Sequence, residues 1–555
     1  MNQVSFQNKN VENVLKIGGC MAVSFLSYRY LSKWYHNLQE KRSMDKIRSK
    51  RQKEREAEFS LVRANYQSTL KEKTKYKEII SLSLPQLHKK LSARELSSED
   101  VLRAFIWKSM SVQDEFNCIT EFIPEAMDKA HELDSLEGVR GPLHGLPFCV
   151  KEDTAIATYD CSMGCTRRLY RPEEETAVIV QCLEKLGAIP FCRTNLPQTC
   201  ISFGSCNPIF GKTVNPLNTK VGPGGSSSGT GCLVAAGGAP FGTGSDTGGS
   251  LRSPAHFCGL STLKPTSTRI SRRGCTKCCD MLPGIPGILT KTVEDQVIVF
   301  QPLMENFLQN AMDPSVAPIA WNDLMFKSND ELRIGYFLEL PMFPPVGDTK
   351  RAVLEAKSFL ESNGHTLVPF DLPVDVGNTF LKLPFDSNIK QRFHDLLNND
   401  EIADCIKNEV DSCNRADGWG ICSRTKTAPV IPTREELVHI FLDKMNKAEI
   451  DAIICPVLPF PAVQDVQLYP GIVGYTIMWN LLDFPAGVVK VSKERGFEWK
   501  TSVDSMNVSH EIKRNLLKNL CASAGMPIGV QVVGKPFQEE MVLKVMMELD
   551  EINNP

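Results

Sequence analysis

The chain is 555 residues long, 42% hydrophobic and 23% charged, with a formal net charge of −2. That length leaves core size unconstrained, and the near-neutral balance argues against nucleic acid as a partner and against a disordered, solvating chain. The 19 cysteines are scattered without framework spacing, which fits free thiols in a reducing intracellular compartment better than a secreted disulfide scaffold.

Residues 14–31, VLKIGGCMAVSFLSYRYL, are the membrane candidate. The uncharged run from Ile17 to Tyr28 is shorter than the roughly 18–20 apolar residues that cross a bilayer. Tyr30, Trp34 and Tyr35 suit an interface, and Lys41 to Arg55 is strongly basic. Cations after an apolar segment favour a cytosolic position for the downstream chain. The expectation is an anchor over residues 1–40 that lies on an intracellular membrane surface (an endomembrane), against the alternatives of a true span or a helix packed on the protein. Beyond it are expected a charged helical spacer over 41–78 and one globular domain over 79–555.

Ser97-Ser98-Glu99-Asp100 offers a capping box before an apolar helical face of Val101, Leu102, Phe105 and Ile106. Leu146 to Val150 reads as a short strand ending at Lys151. Helical VIVQCLEKLGA (178–188) leads into strand-like IPFCRTN (189–195), and the alternation recurs at 358–370, 448–460 and 526–534. Repeated helix–strand alternation implies an α/β fold with a largely buried sheet. Residues 385–432 are polar and read as surface. Cys275, Cys278 and Cys279 form a C-x-x-C-C run without a second ligand pair, so structural thiols are expected rather than zinc.

Val221 to Lys264 gathers twelve glycines and seven serines. Such a stretch either links or shapes backbone N–H groups around a ligand, and the apolar runs Leu233–Ala236 and Pro240-Phe241 argue against a linker. No lysine stands where a Walker loop needs one, and Gly242 to Gly248 misses the dinucleotide spacing by one residue. Gly225-Ser226-Ser227-Ser228-Gly229 matches G-x-S-x-G, but NPLNTKVGPG before it is no strand, so a hydrolase elbow is not expected. Thr247-Gly248-Gly249-Ser250 places successive N–H groups just before a hydroxyl. Turned inward, they would form an oxyanion hole for a carbonyl attacked by that serine. Serine needs a base. His256 in SPAHFCG reads as a cap or core residue, whereas Lys151 emerges from the end of a buried strand, where desolvation would depress its pKa. From its own segment alone, the favoured reading of Lys151 is a solvated partner of Glu152 and Asp153. A relay hydroxyl between amine and nucleophile would use the Ser226-Ser227 pair.

PGGSSSG lies with its first serine 24 positions before the Ser250 of GSDTGGSLR, and LPFCVKED carries an upstream lysine. With TNLPQ (194–198), VNP (214–216), LKPT (263–266), DAIICPVLP (451–459) and GMPIGVQVVG (525–534), the chain resembles the amidase signature family across roughly 80–550. CNPIFGKTVNP (206–216) and YTIMWNLLDFPAGVV (475–489) carry a finer likeness to its animal members that hydrolyse fatty acid amides. The resemblance implies a mixed central β-sheet enclosed by helices and a Ser–Ser–Lys triad. Ser250 would be the nucleophile, Ser226 the relay and Lys151 the base, with Ser227 supporting the network. Thr247, Gly248, Gly249 and Ser250 would supply the oxyanion hole, and Asp246 and Arg252 would brace its loop as an ion pair.

Three departures are visible. Thr247 replaces an isoleucine of the mammalian members, Cys200 and Ile201 replace larger residues on the loop resembling the substrate-binding face, and 385–430 is shorter and more polar than the mammalian membrane-entry cap. The last argues against lipid uptake directly from the bilayer. The implied reaction hydrolyses a small fatty amide, an N-acylethanolamine or a primary amide, through an acyl-enzyme. It needs no metal or organic cofactor, and a homodimer is implied only by the resemblance. The alternatives are a glutamine-hydrolysing amidotransferase subunit and an inactive membrane-bound scaffold.

Overall fold

The computed structural model describes residues 2–66, 69–276, 282, 284–305, 307–380, 389–407, 410, 432–464, 466, 471–497, 499–506 and 510–553. Cys278 and Cys279, and most of 408–431, lie outside the described residues.

The backbone of the fold is one mixed sheet of eleven described strands. In chain order the strands are β1 (Ile119–Phe122), β2 (Pro147–Lys151), β3 (Ile189–Thr194), β4 (Cys206–Asn207), β5 (Gly211–Lys212), β6 (Phe241–Asp246), β7 (Ser261–Lys264) and β8 (Ile285–Thr290). They continue as β9 (Arg333–Tyr336), β10 (Thr366–Pro369), β11 (Ala452–Pro456), β12 (Ala486–Lys493) and β13 (Pro527–Gly534). The order across the sheet is β1-β3-β2-β6-β8-β7-β12-β13-β11-β9-β10, while β4 and β5 form a separate hairpin. β3, β2 and β6 run parallel, as do β11, β9 and β10. The strands between them pair antiparallel. Helices cover both faces, which is why β2, β6, β8 and β13 are buried along their whole lengths.

Most local signals read from the sequence act as expected, although Ser97 to Asp100 gives an N-cap and not the expected reciprocal capping box. Ser97 caps the helix Ser98–Phe116 by accepting from Asp100 N–H, and Val101, Leu102, Phe105 and Ile106 are buried. The helix Val178–Lys185 feeds β3, and 358–370, 448–460 and 526–534 contribute β10, β11 and β13. The cysteines with described side chains are thiols rather than disulfides. Cys275 forms a β-bridge with Thr154.

Two expectations are corrected. The charged spacer expected over 41–78 is helical but not detached: residues 41–65 continue one helix, Asn2–Asn65, and dock one face of it on the sheet edge. Arg51 pairs with Glu121, Arg55 donates to Ile119 O, and Phe59 is buried edge-on against Phe122. The basic run is therefore divided. Arg48, Arg51 and Arg55 face the protein, whereas Lys41, Arg42, Lys46, Lys50 and Lys53 are exposed. The described part of 385–430 is likewise not uniformly surface. Phe393, Leu397, Cys405 and Ile406 pack with Cys165, because Phe393, Leu396 and Leu397 share one face of the helix Ile389–Leu397. Among the described residues, no helix is long and apolar enough to cross a membrane.

Docking of the N-terminal helix has a direct test. Phe59→Ala removes its buried aromatic anchor, at a cost of about 3–5 kcal/mol if the site does not collapse. Limited proteolysis within 41–65 should accelerate, and an unchanged rate would mean that the helix is held elsewhere.

Candidate active site

β2 and β6 lie side by side and parallel, with Phe148 opposite Phe241 and Cys149 opposite Gly242. Their carboxyl ends therefore finish together, the place where α/β sheets open a crevice. Lys151 ends β2, and Ser245 and Asp246 end β6. The segment before the helix Ser228–Ala235 passes over the same ends, bringing Ser226 and Ser227 with it. No strand precedes it, so the serines are presented by an irregular loop rather than by a strand-to-helix elbow. Gly224 permits the path: its φ is +77°, and a Cβ there would stand 2.7 Å from Ser253 O. The Gly225–Ser226 peptide is cis.

The Lys151 side chain is fully buried. Its Nζ donates to Ser226 Oγ at 2.8 Å and to Ser245 Oγ at 2.7 Å. Asp153 Oδ2 lies 3.0 Å from the same nitrogen and accepts from Ser245 Oγ at 2.6 Å. The reading of Lys151 as solvated is thus wrong, but its pairing with Asp153 is real and occurs inside the protein. Glu152 points elsewhere, accepting from Ser162 N–H (2.6 Å) and Met163 N–H (2.9 Å). Burial raises its pKa to about 7 against the pull of Arg193.

Ser250 is tied to the cluster through its backbone. Its carbonyl accepts from Ser227 N–H at 3.1 Å. Ser227 Oγ donates to Ser245 O and accepts from Ser245 N–H, both at 3.3 Å, so this serine stitches the loop to β6. His256 takes no part. It is buried in the helix Arg252–Cys258 between Phe460 O and Gly529 N–H, and burial lowers its pKa to about 4.

The loop 246–251 is wrapped around a buried ion pair. Asp246 and Arg252 meet at 2.8 Å, both with inaccessible side chains. Burial opposes ionisation of Asp246, but Arg252, Asn480 and the Leu251 N–H overcome it and hold the carboxyl far below its usual range. Arg252 also donates to Thr476 O, Gln531 Oε1 and Asn480 Oδ1. These partners lie more than 220 residues away in sequence. Asp246 Oδ1 accepts from Gly249 N–H at 2.7 Å, so that N–H is engaged by the carboxylate here. Thr247, Gly248 and Ser250 keep their N–H groups without an acceptor among the described residues. Gly249 has another job: its φ is +127°, and a Cβ would stand 2.5 Å from Thr476 Oγ1. Thr476 in turn donates to Gly248 O.

Cys200 is buried with Met163 and Leu196 on a loop where it and Thr199 both have positive φ, and Leu396 packs against this group. Beside Gly248, Val473 and Ile477 approach the position that a Cβ would take to 3.4–3.6 Å. Val473 precedes Gly474, which abuts Leu340, Met342 and Val376. Those three side chains help to line a cavity of about 1020 Å³ with Phe337 and Phe370.

Sequence reasoning missed Asp153, Ser245, Thr476, Asn480 and Gln531. Only Asp153 and Ser245 left a signal, each close to a residue already singled out. As a whole, the arrangement sets a buried amine on the Ser226 hydroxyl and ties the backbone of Ser250 to the same loop.

An amidase family model matches residues 100–543. The chain is 33% identical over 509 residues to fatty acid amide hydrolase 1 of Caenorhabditis elegans, covering 85% of this chain and 88% of that protein. It is 29% identical over 509 residues to an acetamidase of Emericella nidulans, covering 86% and 90%. A solved fatty acid amide hydrolase superposes with a TM-score of 0.73 at 24% identity, over 92% of this chain and 90% of that one, a likeness of fold. With the mixed sheet, the serine-bearing loop and these matches together, the chain belongs to the amidase signature family.

Proposed function

We propose that this amidase hydrolyses fatty acid amides, N-acylethanolamines and primary fatty amides among them, to a fatty acid and an amine. The observation that carries the chemistry is the buried Lys151 amine, 2.8 Å from Ser226 Oγ and beside the loop that holds Ser250. Neutral Lys151 accepts the Ser226 proton as Ser226 accepts that of Ser250, and Ser250 Oγ bonds to the carbonyl carbon. The resulting oxyanion meets the N–H groups of Thr247, Gly248 and Ser250. The proton then returns through Ser226 to the amide nitrogen, the C–N bond breaks and the amine departs. Protonation matters because an amine anion is a very poor leaving group. Water attacks the acyl-enzyme by the same relay and releases the acid.

Two features support a long acyl group. The Caenorhabditis elegans relative carries that activity in its name, and Gly474, the neighbour of Val473, abuts Leu340, Met342 and Val376 of a cavity lined by apolar side chains together with Glu339, Asp371 and Asp375. Its size is at the upper end of ordinary ligand pockets. Attachment to a membrane surface is part of the same proposal. Tyr28, Tyr30, Leu31, Trp34 and Tyr35 are all more than half exposed on the N-terminal helix, and the outward lysines follow them. Aromatic rings followed by cations suit the interface of an anionic leaflet.

Ser250→Ala should abolish turnover and labelling by a fluorophosphonate; intact labelling would remove Ser250 as nucleophile. Lys151→Ala should lose activity steeply toward neutral pH and partly recover it at high pH, where hydroxide deprotonates the serines directly. A flat profile would count against the lysine as base. A screen of amides from two to twenty carbons, with and without residues 1–40, should show kcat/KM rising with chain length. Removal of residues 1–40 should weaken binding to anionic vesicles and leave turnover of short soluble amides unchanged. A preference for acetamide would redirect the specificity to small amides.

A further inference from the structure

We infer that Asp153 is a positioning residue that sets the working pH of this amidase by holding the charged form of Lys151. The inference rests on the proposed Lys151–Ser226–Ser250 relay and adds to it a fourth side chain.

The geometry is closed on all sides. Lys151, Asp153 and Ser226 are each no more than 1% exposed, and Ser245 is 7% exposed. Asp153 Oδ2 is 3.0 Å from Lys151 Nζ, and Ser245 Oγ bridges the two, accepting from the amine at 2.7 Å and donating to the carboxylate at 2.6 Å. Asp153 is fixed in turn. Thr154 Oγ1 donates to its Oδ1 at 3.2 Å, and its carbonyl accepts from Thr276 N–H and Oγ1 at 3.1 and 2.8 Å. Oδ2 is therefore held toward the amine rather than reaching it by chance.

The other described ionisable groups around this cluster do not substitute for it. Glu152, on the same turn, is bound to Ser162 and Met163, and Arg193 of β3 donates to the Glu152 carbonyl. Asp246, at the end of β6, is taken by Arg252. From the segment packed over the turn comes the Cys275 thiol, which burial pushes up to about 12 and so leaves uncharged; Arg272 acts on that thiol. The serines contribute hydroxyls only. Asp153 is the carboxylate that faces the amine.

Burial alone would drive a lysine to titrate near 5–6, and a carboxylate within about 4 Å acts in the opposite direction. Asp153 thus costs the enzyme some neutral amine at rest and offsets that loss during catalysis. When Lys151 takes the serine proton, the new ammonium forms against a waiting anion, much as an aspartate stabilises the imidazolium of a serine protease. The proton moves from Ser250 through Ser226 to Nζ and back to the leaving nitrogen.

The test is kcat/KM against pH for wild type and Asp153→Asn. The acid limb of the variant should move down by at least about one unit, with a plateau lowered about tenfold or more as the ammonium loses its counter-charge. A variant damaged only in packing would lose the same factor at every pH, and an unmoved limb overturns the inference. Should Asp153→Asn fail to fold, the pH dependence of fluorophosphonate labelling in the wild type decides the matter: a midpoint above about 7 is expected, and one near 5–6, where burial alone would place it, overturns the role of Asp153. Wild type that is not labelled at Ser250 at any pH sinks the relay and this inference with it, whereas labelled wild type with an unmoved variant limb sinks Asp153 alone.

Discussion

The Asp246–Arg252 pair is the contact on which the candidate site depends. A guanidinium with no exposed surface must place every donor, and Arg252 does so on Asp246, Thr476, Asn480 and Gln531. Those residues belong to β6, to the helix Gly474–Leu481 and to β13. One side chain therefore ties the loop of Ser250 to two distant parts of the chain. Such a pair adds little net stability over a packed apolar core, but removing one member strands a buried charge. Its contribution lies in position: Asp246 fixes Gly249, and through it the direction of the neighbouring N–H groups.

The same logic separates the two halves of the glycine- and serine-rich stretch. Residues 222–229 need small side chains because the loop passes close to neighbouring backbone. Within 246–251 it is Gly249 that must stay small, because its φ is +127° and Thr476 crowds it. Lys151 joins the two. It ends a strand buried on both faces, and its amine meets Ser245 of the adjacent strand end, Ser226 of the serine loop and Asp153 of the turn that follows.

Much of this was legible in the sequence. Strand β2, the placement of Lys151 at its end and the serines of the loop over it can be read from hydrophobic runs and turn residues close in the chain. Thr476, Asn480 and Gln531 could not be read, because nothing local distinguishes a threonine or a glutamine that answers an arginine more than 220 residues away. Asp153 was visible but misassigned to solvent, since an acidic pair after a lysine ordinarily marks a surface turn. The turn is instead roofed by residues 275–276. The helical face of Phe393, Leu396 and Leu397 was hidden by the polar composition around it, although its spacing was present in the sequence.

The docked N-terminal helix has a consequence of a different kind. Among the described strands β1 closes one side of the sheet and pairs with β3, so its outer rim would offer free N–H and C=O groups to any passing strand. The helix occupies that rim with side chains: Glu58 accepts from Phe122 N–H at 2.6 Å, and Arg55 donates to Ile119 O. Burial lifts the Glu58 carboxyl to about 7, yet protonated or not it keeps an oxygen for that N–H. The segment acts as a selvedge for the sheet, a border that stops the weave from being extended by another molecule. A chain clipped within this helix would carry an unsealed strand edge, and its failure would take the form of self-association rather than loss of the serine chemistry.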